Sequence, residues 1–245
     1  HALPKADRAH SLVLVQDAFT SHFETQLVLD CCDLLQRLGF NVLMAPYRAN
    51  GKPLQVHGFL QRFEKTARRN ALALKGLADS GVPLVGIDPS MTLTYRQEYA
   101  NVLSKEELPN VLMLQEWLAS QIAHLQSLDL GLEDGQFQLM SHCTERTSAA
   151  ASIAQWLQVF SALGQTLSHQ NLGCCGMAGT YGHETANLET SRQIYQLSWQ
   201  KIVSNSDAAK RLVATGYSCR SQVKRMDATQ IPHPLQALLK QLRTG

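Results

Sequence analysis

Two adjacent thiols followed by glycine, Cys174-Cys175-Gly176, sit inside the run Asn171-Leu-Gly-Cys-Cys-Gly-Met-Ala-Gly-Thr-Tyr-Gly-His-Glu184. Glycine at that point lets the backbone turn sharply, so both sulfurs can be offered to one metal centre. The chain has six cysteines, and Cys143 and Cys219 also fall outside helical stretches. Four thiols from three segments could therefore converge. Such a set suits a [4Fe–4S] cluster, whose irons each take one external ligand. It also suits a tetrahedral zinc ion, with Zn–S near about 2.3 Å. A catalytic dithiol is a third reading of the vicinal pair. Cys31-Cys32, by contrast, lies between Leu29 and Leu34 in a helical stretch and reads as core, where cysteine packs as a small hydrophobe.

The polar neighbours of these thiols each have more than one reading. His142 precedes Cys143 and is a fifth ligand, a donor to sulfur, or a loop residue satisfied by backbone. His183-Glu184 either orient one another behind the glycine-rich loop or begin the next helix, where Glu is favoured. Glu145-Arg146 and the run Arg220 to Arg225 either raise the potential of a bound cluster and dock an acidic carrier, or form a solvated helix face.

Short apolar runs alternate with long amphipathic stretches. Residues 11–15, 41–44, 83–87, 110–114, 136–140, 165–167 and 211–214 read as strands. Helices are expected near 21–38, 54–78, 116–125, 149–163 and 183–203. This alternation predicts an α/β fold of parallel βαβ units covered on both faces. The turn-rich stretch from Leu125 to Gln136 marks a boundary, giving halves at 1–130 and 131–245.

The halves repeat one another. Leu38-Gly39 recurs as Leu163-Gly164, 125 residues later, and at the same offset Gly51 falls on Gly176. Gln16-Asp17-Ala18 falls on Ser141-His142-Cys143, and Asp88-Pro-Ser-Met91 lies opposite Gly216-Tyr-Ser-Cys219 at an offset of 128. Each half thus has three loops, one after each of three strands, gathered where ligands of open parallel sheets bind. The thiols of the second half stand at Ala18, Ala49, Asn50 and Met91 in the first, with Asp17, Arg48, Lys52 and Tyr95 close by. Packing alone, or contact of these polar loops with a partner, would account for the first half.

Composition narrows the field. A formal charge of +2 gives no case for nucleic acid or an anionic membrane. No apolar stretch reaches the length of about 18 residues that a membrane span needs. The first seven residues show no apolar signal segment, and six cysteines in a chain of 245 residues suit a reducing cytoplasm. A chain that begins at His1 is expected to be cut from something longer.

The order Cys, about thirty residues, Cys-Cys-Gly, then a closing Cys resembles the cysteine-rich CCG domain found in heterodisulfide reductase and in the iron–sulfur proteins of glycerol-3-phosphate and lactate oxidation. More narrowly, four segments are similar to the C-terminal region of long bacterial FAD-linked oxidases of the D-lactate and D-2-hydroxyglutarate dehydrogenase type. They are His142-Cys-Thr-Glu145, Gly173 to Glu184, Ile194 to Trp199 and Ala214 to Arg225. The resemblance implies an iron–sulfur electron-transfer module with Cys143, Cys174, Cys175 and Cys219 as ligands, and His142, Gly176, His183 and Glu184 around them. It implies FAD in a domain of the same polypeptide outside this chain, a 2-hydroxy acid as substrate and a site in the cytoplasm, peripheral to the inner membrane or free of it. The chain alone carries no Gly-rich dinucleotide loop and no flavin-attachment motif. Gly216 replaces the first thiol of the family's final Cys-x-x-Cys, so four thiols stand where members with a non-cubane cluster have five. The competing reading is a structural or assembly module, its thiols holding zinc or free, that mediates domain contacts or a homo-oligomer.

Overall fold

Runs such as Ser11-Leu-Val-Leu14 and Leu84-Val-Gly86 have no polar face, and a strand without one must be covered on both sides. A computed structural model describes residues 8–205 and 211–244 and meets that requirement with two all-parallel sheets. The N-terminal run read above for a signal segment, residues 1–7, lies outside the described residues. The chain divides into two compact units after Ser120. This is ten residues before the turn-rich stretch at 130, because helix α7 (Ile122–Ser127) packs on α9 (Ala151–Ala162) of the second unit.

In the first unit, strands β1 (Ser11–Leu14), β2 (Asn41–Met44), β3 (Leu84–Gly86) and β4 (Val111–Met113) run in the order β2-β1-β3-β4. In the second, β5 (Gln136–Met140), β6 (Thr166–His169) and β7 (Leu212–Ala214) run in the order β6-β5-β7. The duplication read from sequence is therefore a duplication of topology. β1, β2 and β3 correspond to β5, β6 and β7, and β4 is an added edge strand.

The helices are α1 (Ala18–Phe23), α2 (Thr25–Arg37), α3 (Lys52–Val56), α4 (Leu60–Ala78), α5 (Pro89–Thr94) and α6 (Leu114–Ala119) in the first unit. The second unit has α7, α8 (Cys143–Ser148), α9, α10 (Leu188–Val203), α11 (Tyr217–Asp227) and α12 (Pro234–Thr244). Helix α2 buries Leu27, Val28, Cys31, Leu34 and Leu35, one stripe at helical spacing. Cys31 is a core residue, as its neighbours suggest, while Cys32 on the next position reaches the Met44 sulfur at 3.9 Å.

Three differences from the sequence reading have physical causes. Helix α10 starts at Leu188 rather than near 183, since two tight turns (Tyr181–His183 and Thr185–Asn187) precede it. Helix α11 has no apolar periodicity to announce it, because it buries Ser218, Cys219, Arg220 and Gln222 with one aliphatic residue, Val223. Helix α12 adds to the expected set; its signals are Pro234 at its start and the buried stripe Leu235, Leu238 and Leu239 beyond.

Candidate metal centre

The carboxyl ends of β5, β6 and β7 deliver three loops to one place in the second unit. Cys143 opens α8 directly after β5, Cys174 and Cys175 lie in the loop after β6, and Cys219 lies in the first turn of α11 after β7. The four thiols lie along a line close enough to influence one another's protonation: Cys143 beside Cys174, Cys174 beside Cys175, and Cys175 beside Cys219. The line runs inward. Cys143 and Cys174 are half-buried, whereas Cys175 and Cys219 belong to the apolar core with Met140, Met177, Tyr195 and Trp199.

Burial and mutual contact keep protons on Cys143 and Cys175. The interaction with Cys174, followed by burial, pushes the Cys143 thiol up to about 12. For Cys175 the interaction with Cys174 is the largest influence and pulls downward. The interaction with Cys219 and burial outweigh it and hold the thiol well above its ordinary value. A metal must therefore displace protons to bind here.

Backbone and buried polar groups shape the loop. Gly176 has φ +87°, and a Cβ on it would run into the Ser191 carbonyl oxygen. Its own amide points at Cys174 Sγ, 3.3 Å away, and its carbonyl accepts from Ser191 Oγ at 2.8 Å. Gln222 Nε2 on α11 donates to Ser191 Oγ at 2.9 Å, and Trp199 Nε1 donates to the Gly173 carbonyl at 3.0 Å. Helices α10 and α11 thus clamp the thiol loop from two sides.

The other two loops are tied by Glu145, which is fully buried. One of its carboxylate oxygens accepts from Ser152 Oγ; the other accepts from Thr215 Oγ1 and from the His142 amide. Arg220 Nη1 donates to the carbonyls of Ala214 and Thr215, both at 2.8 Å. Glu145 and Arg220 are consequently structural ties, not members of a solvated charged face. Sequence reasoning missed Ser191, Gln222, Thr215 and Ser152; for Ser152 and Thr215 the visible signal was a polar residue on an apolar helix face or strand end, and Gln222 on the polar buried face of α11 had none.

His142 caps α8, with Nδ1 accepting from the Thr144 amide at 3.2 Å, and is 6% exposed. His183 and Glu184 are exposed. Burial and then the nearby Arg225 lower the His183 pKa, and Glu184 Oε2 accepts from Asn187. Among the described residues neither is hydrogen-bonded to a cysteine, so they form the turn before α10.

In chemical kind, four thiols fit a soft metal or an iron–sulfur cluster. Among the described residues no group of three or more His, Cys, Asp and Glu side chains is placed about one point as a metal ion would need. The thiols form a chain and not yet a cage.

The matching place in the first unit is closed. Asn50, opposite Cys175, donates through Nδ2 to the sulfur of Met91 at 3.4 Å and to its carbonyl at 3.2 Å, and Met91 stands opposite Cys219. The thiol contact of one unit is an amide–thioether contact in the other. Gly51 keeps φ +83°, and Tyr99 Oη donates to the Asn50 carbonyl at 2.9 Å. Asp17 caps α1 as His142 caps α8, and Asp88 caps α5. Lys52 is ion-paired with Glu98.

No family model matches the chain. It is 53% identical to a D-2-hydroxyglutarate dehydrogenase of Pseudomonas putida over 97% of its length, covering 23% of that protein. It is 44% identical to the D-2-hydroxyglutarate dehydrogenase of Escherichia coli, again over 23% of that protein. A component of the anaerobic glycerol-3-phosphate dehydrogenase of Escherichia coli is 22% identical and is covered over 61%. The chain thus matches one segment, about a quarter, of the longer dehydrogenases. A solved structure of a hypothetical protein from Helicobacter pylori superposes on 98% of the chain, and the chain covers 49% of that protein, with a TM-score of 0.50 and 14% identity, a likeness of fold. Among the described residues no helix is long and apolar enough to cross a membrane.

Proposed function

We propose that this chain is the C-terminal electron-transfer module of a longer FAD-linked D-2-hydroxy acid dehydrogenase, with Cys143, Cys174, Cys175 and Cys219 holding an iron–sulfur centre. The observation that carries the reading is the meeting of four thiols from three strand-end loops, in a chain similar to part of D-2-hydroxyglutarate dehydrogenases. A bound cluster would supply one-electron transfer between the flavin and an acceptor. The residues of the chain do the rest. The clamp by Ser191, Gln222 and Trp199 fixes the loop whose Cys174 and Cys175 would hold the cluster. The buried pair Cys175 and Cys219 lies in the apolar core, away from water, while Cys143 and Cys174 are half-buried. The substrate, the flavin and the acceptor belong to the rest of the dehydrogenase.

Anaerobic purification with iron and sulfide analysis and visible absorption tests this reading. Brown protein with about four irons per chain is expected. A colourless protein that takes up no iron on reconstitution and carries one zinc per chain would instead make the site structural, the assembly reading. In the full-length dehydrogenase, Cys175→Ser is expected to abolish electron transfer to an external acceptor while flavin reduction by substrate persists.

A further inference from the structure

The two sheets differ at one matched edge. Strand β2 corresponds to β6 in topology, and each is an outer strand of its sheet. β6 meets solvent chiefly through Thr166 and Ser168, and its His169 Nε2 is hydrogen-bonded to Ser141 Oγ at 2.9 Å. β2 places Val42, Leu43 and Met44 at the same edge, with Leu43 41% and Met44 44% exposed. The opposite edges, β4 and β7, are buried apart from a partly covered Leu112. Among the described strands, β2 is thus the edge that leaves large apolar side chains in water.

Neighbouring helices extend this apolar surface. Residues 42 and 44 point to one face of the sheet, and 43 and 45 to the other. On the first face Met44 Sδ lies 3.9 Å from Cys32 Sγ of α2, and Leu29, one turn earlier on that helix, is 57% exposed. Just past the strand, Tyr47 packs edge-on against His22 of α1 and is 39% exposed. The backbone is open as well. Asn41 and Ala45 donate to the carbonyls of His10 and Leu14 along β1, at 2.8 and 3.0 Å. The alternate amides, those of Val42 and Met44, therefore point outward. The next outward position is Pro46, which has no N–H to offer. The edge presents two donors and then stops.

We propose that β2 is a docking edge, completed by an extended apolar segment from the part of the longer dehydrogenase that lies outside this chain. Parallel sheets are stable with both faces covered, and an apolar edge in water invites pairing with another strand. The chain matches 23% of the D-2-hydroxyglutarate dehydrogenases it resembles, so about three quarters of such a polypeptide stands ready to supply the cover. A segment tethered in the same polypeptide binds at high effective concentration, so a short strand suffices. It accepts from the Val42 and Met44 amides and sets its alternate side chains against Leu29 and Met44 on one face and Leu43 on the other. This rests on the reading of the chain as a module of a longer dehydrogenase, and on nothing about the thiols.

Hydrogen exchange read by mass spectrometry, on the full-length dehydrogenase and on this chain alone, tests the proposal without iron or electron transfer. In the full-length protein the Val42 and Met44 amides should exchange at least about tenfold more slowly than in the chain alone. Cys32, half-buried in this chain, should also be alkylated more slowly there. Val42→Pro removes one outward donor at a position where an edge strand tolerates proline. Leu43→Lys keeps the backbone and puts a charge on the apolar face. Each should return the Met44 amide to fast exchange in the full-length protein and leave the circular dichroism of the chain unchanged. Fast exchange of both amides in the wild-type full-length protein would overturn the proposal, as would protection that survives both variants. Slow exchange in the chain alone would overturn it too, and sedimentation as a dimer would then give the edge to a second copy. A chain that takes up no iron would remove the electron-transfer reading and leave this edge as it is.

Discussion

Replacing Asp17 by Asn should stabilise the protein, and only above about pH 5. Asp17 is 6% exposed and carries its carboxyl at the start of α1, where it accepts from the amides of Phe19 and Thr20 at 2.8 and 2.9 Å and from Thr20 Oγ1 at 2.6 Å. Burial and then the charge of Asp88 outweigh those three bonds and raise its pKa from 3.8 to about 6. A carboxyl raised by about 2 units is worth about 3 kcal/mol, at about 1.4 kcal/mol per unit. Because the folded pKa lies above the unfolded one, the folded state binds the proton more readily between about pH 4 and 6, and stability falls as pH rises through that window. Above it the native state bears the full cost of the buried charge; below pH 4 both states are protonated and the cost is gone. Asn cannot ionise, and it caps a helix as well as Asp does. Its amide can donate to Thr20 Oγ1 in place of the bond it removes. The expected gain is therefore up to about 3 kcal/mol at pH 7.5, shrinking to nearly nothing at pH 4. Urea unfolding of both proteins across this range, followed by far-UV circular dichroism, measures it. An Asn variant no more stable than wild type at pH 7.5, or a difference constant from pH 4 to 7.5, would refute the reasoning.

The remaining predictions concern the loops. Gly176→Ala forces a Cβ onto a left-handed residue and into a backbone carbonyl, so it should cost more than the roughly 1–2 kcal/mol of conformational strain alone. Gly51→Ala at φ +83° meets the side chains of Phe63 and Thr66, which can give way, and should cost less than Gly176→Ala in the same urea titration. Glu145→Gln puts an amide donor among partners that all donate, and should destabilise by about 1–3 kcal/mol in thermal unfolding. Equal stability would mean that Ser152 and Thr215 can turn their hydroxyls to other acceptors.

Much of the framework could be read directly because it is written in apolar residues. The runs at 11–14 and 84–86 have too few polar side chains to be anything but covered strands, and the recurrence of Leu-Gly and of the loop glycines Gly51 and Gly176 laid one unit over the other. The convergence of the four thiols followed from that overlay, since equivalent loops must gather at the same sheet end. The supports of the site were not legible. Glu145 and Arg220 look like surface charge in sequence, and only the fold shows that the carboxylate meets two hydroxyls and an amide while the guanidinium meets two carbonyls at the end of β7. Charge pattern alone cannot distinguish a solvated ion from one whose every bond is internal. Helix α11 escaped for the same reason, because its buried face is mostly polar.

The two units differ in what their matched loops would offer a metal. Both keep a left-handed glycine at the turn, both cap the first loop's helix with a side chain, and both bring the second and third loops into contact. Where the second unit has Cys175 against Cys219, the first has an amide against a thioether, two groups that satisfy each other and release no proton. Where the second has an imidazole beside a bare glycine, the first has two carboxylates close enough for the charge of Asp88 to raise the Asp17 pKa. Negative charge there repels the anionic thiolates on which a soft metal depends. The pair Asp17 and Asp88 would thus oppose a thiolate-bound centre even if the thiols were restored.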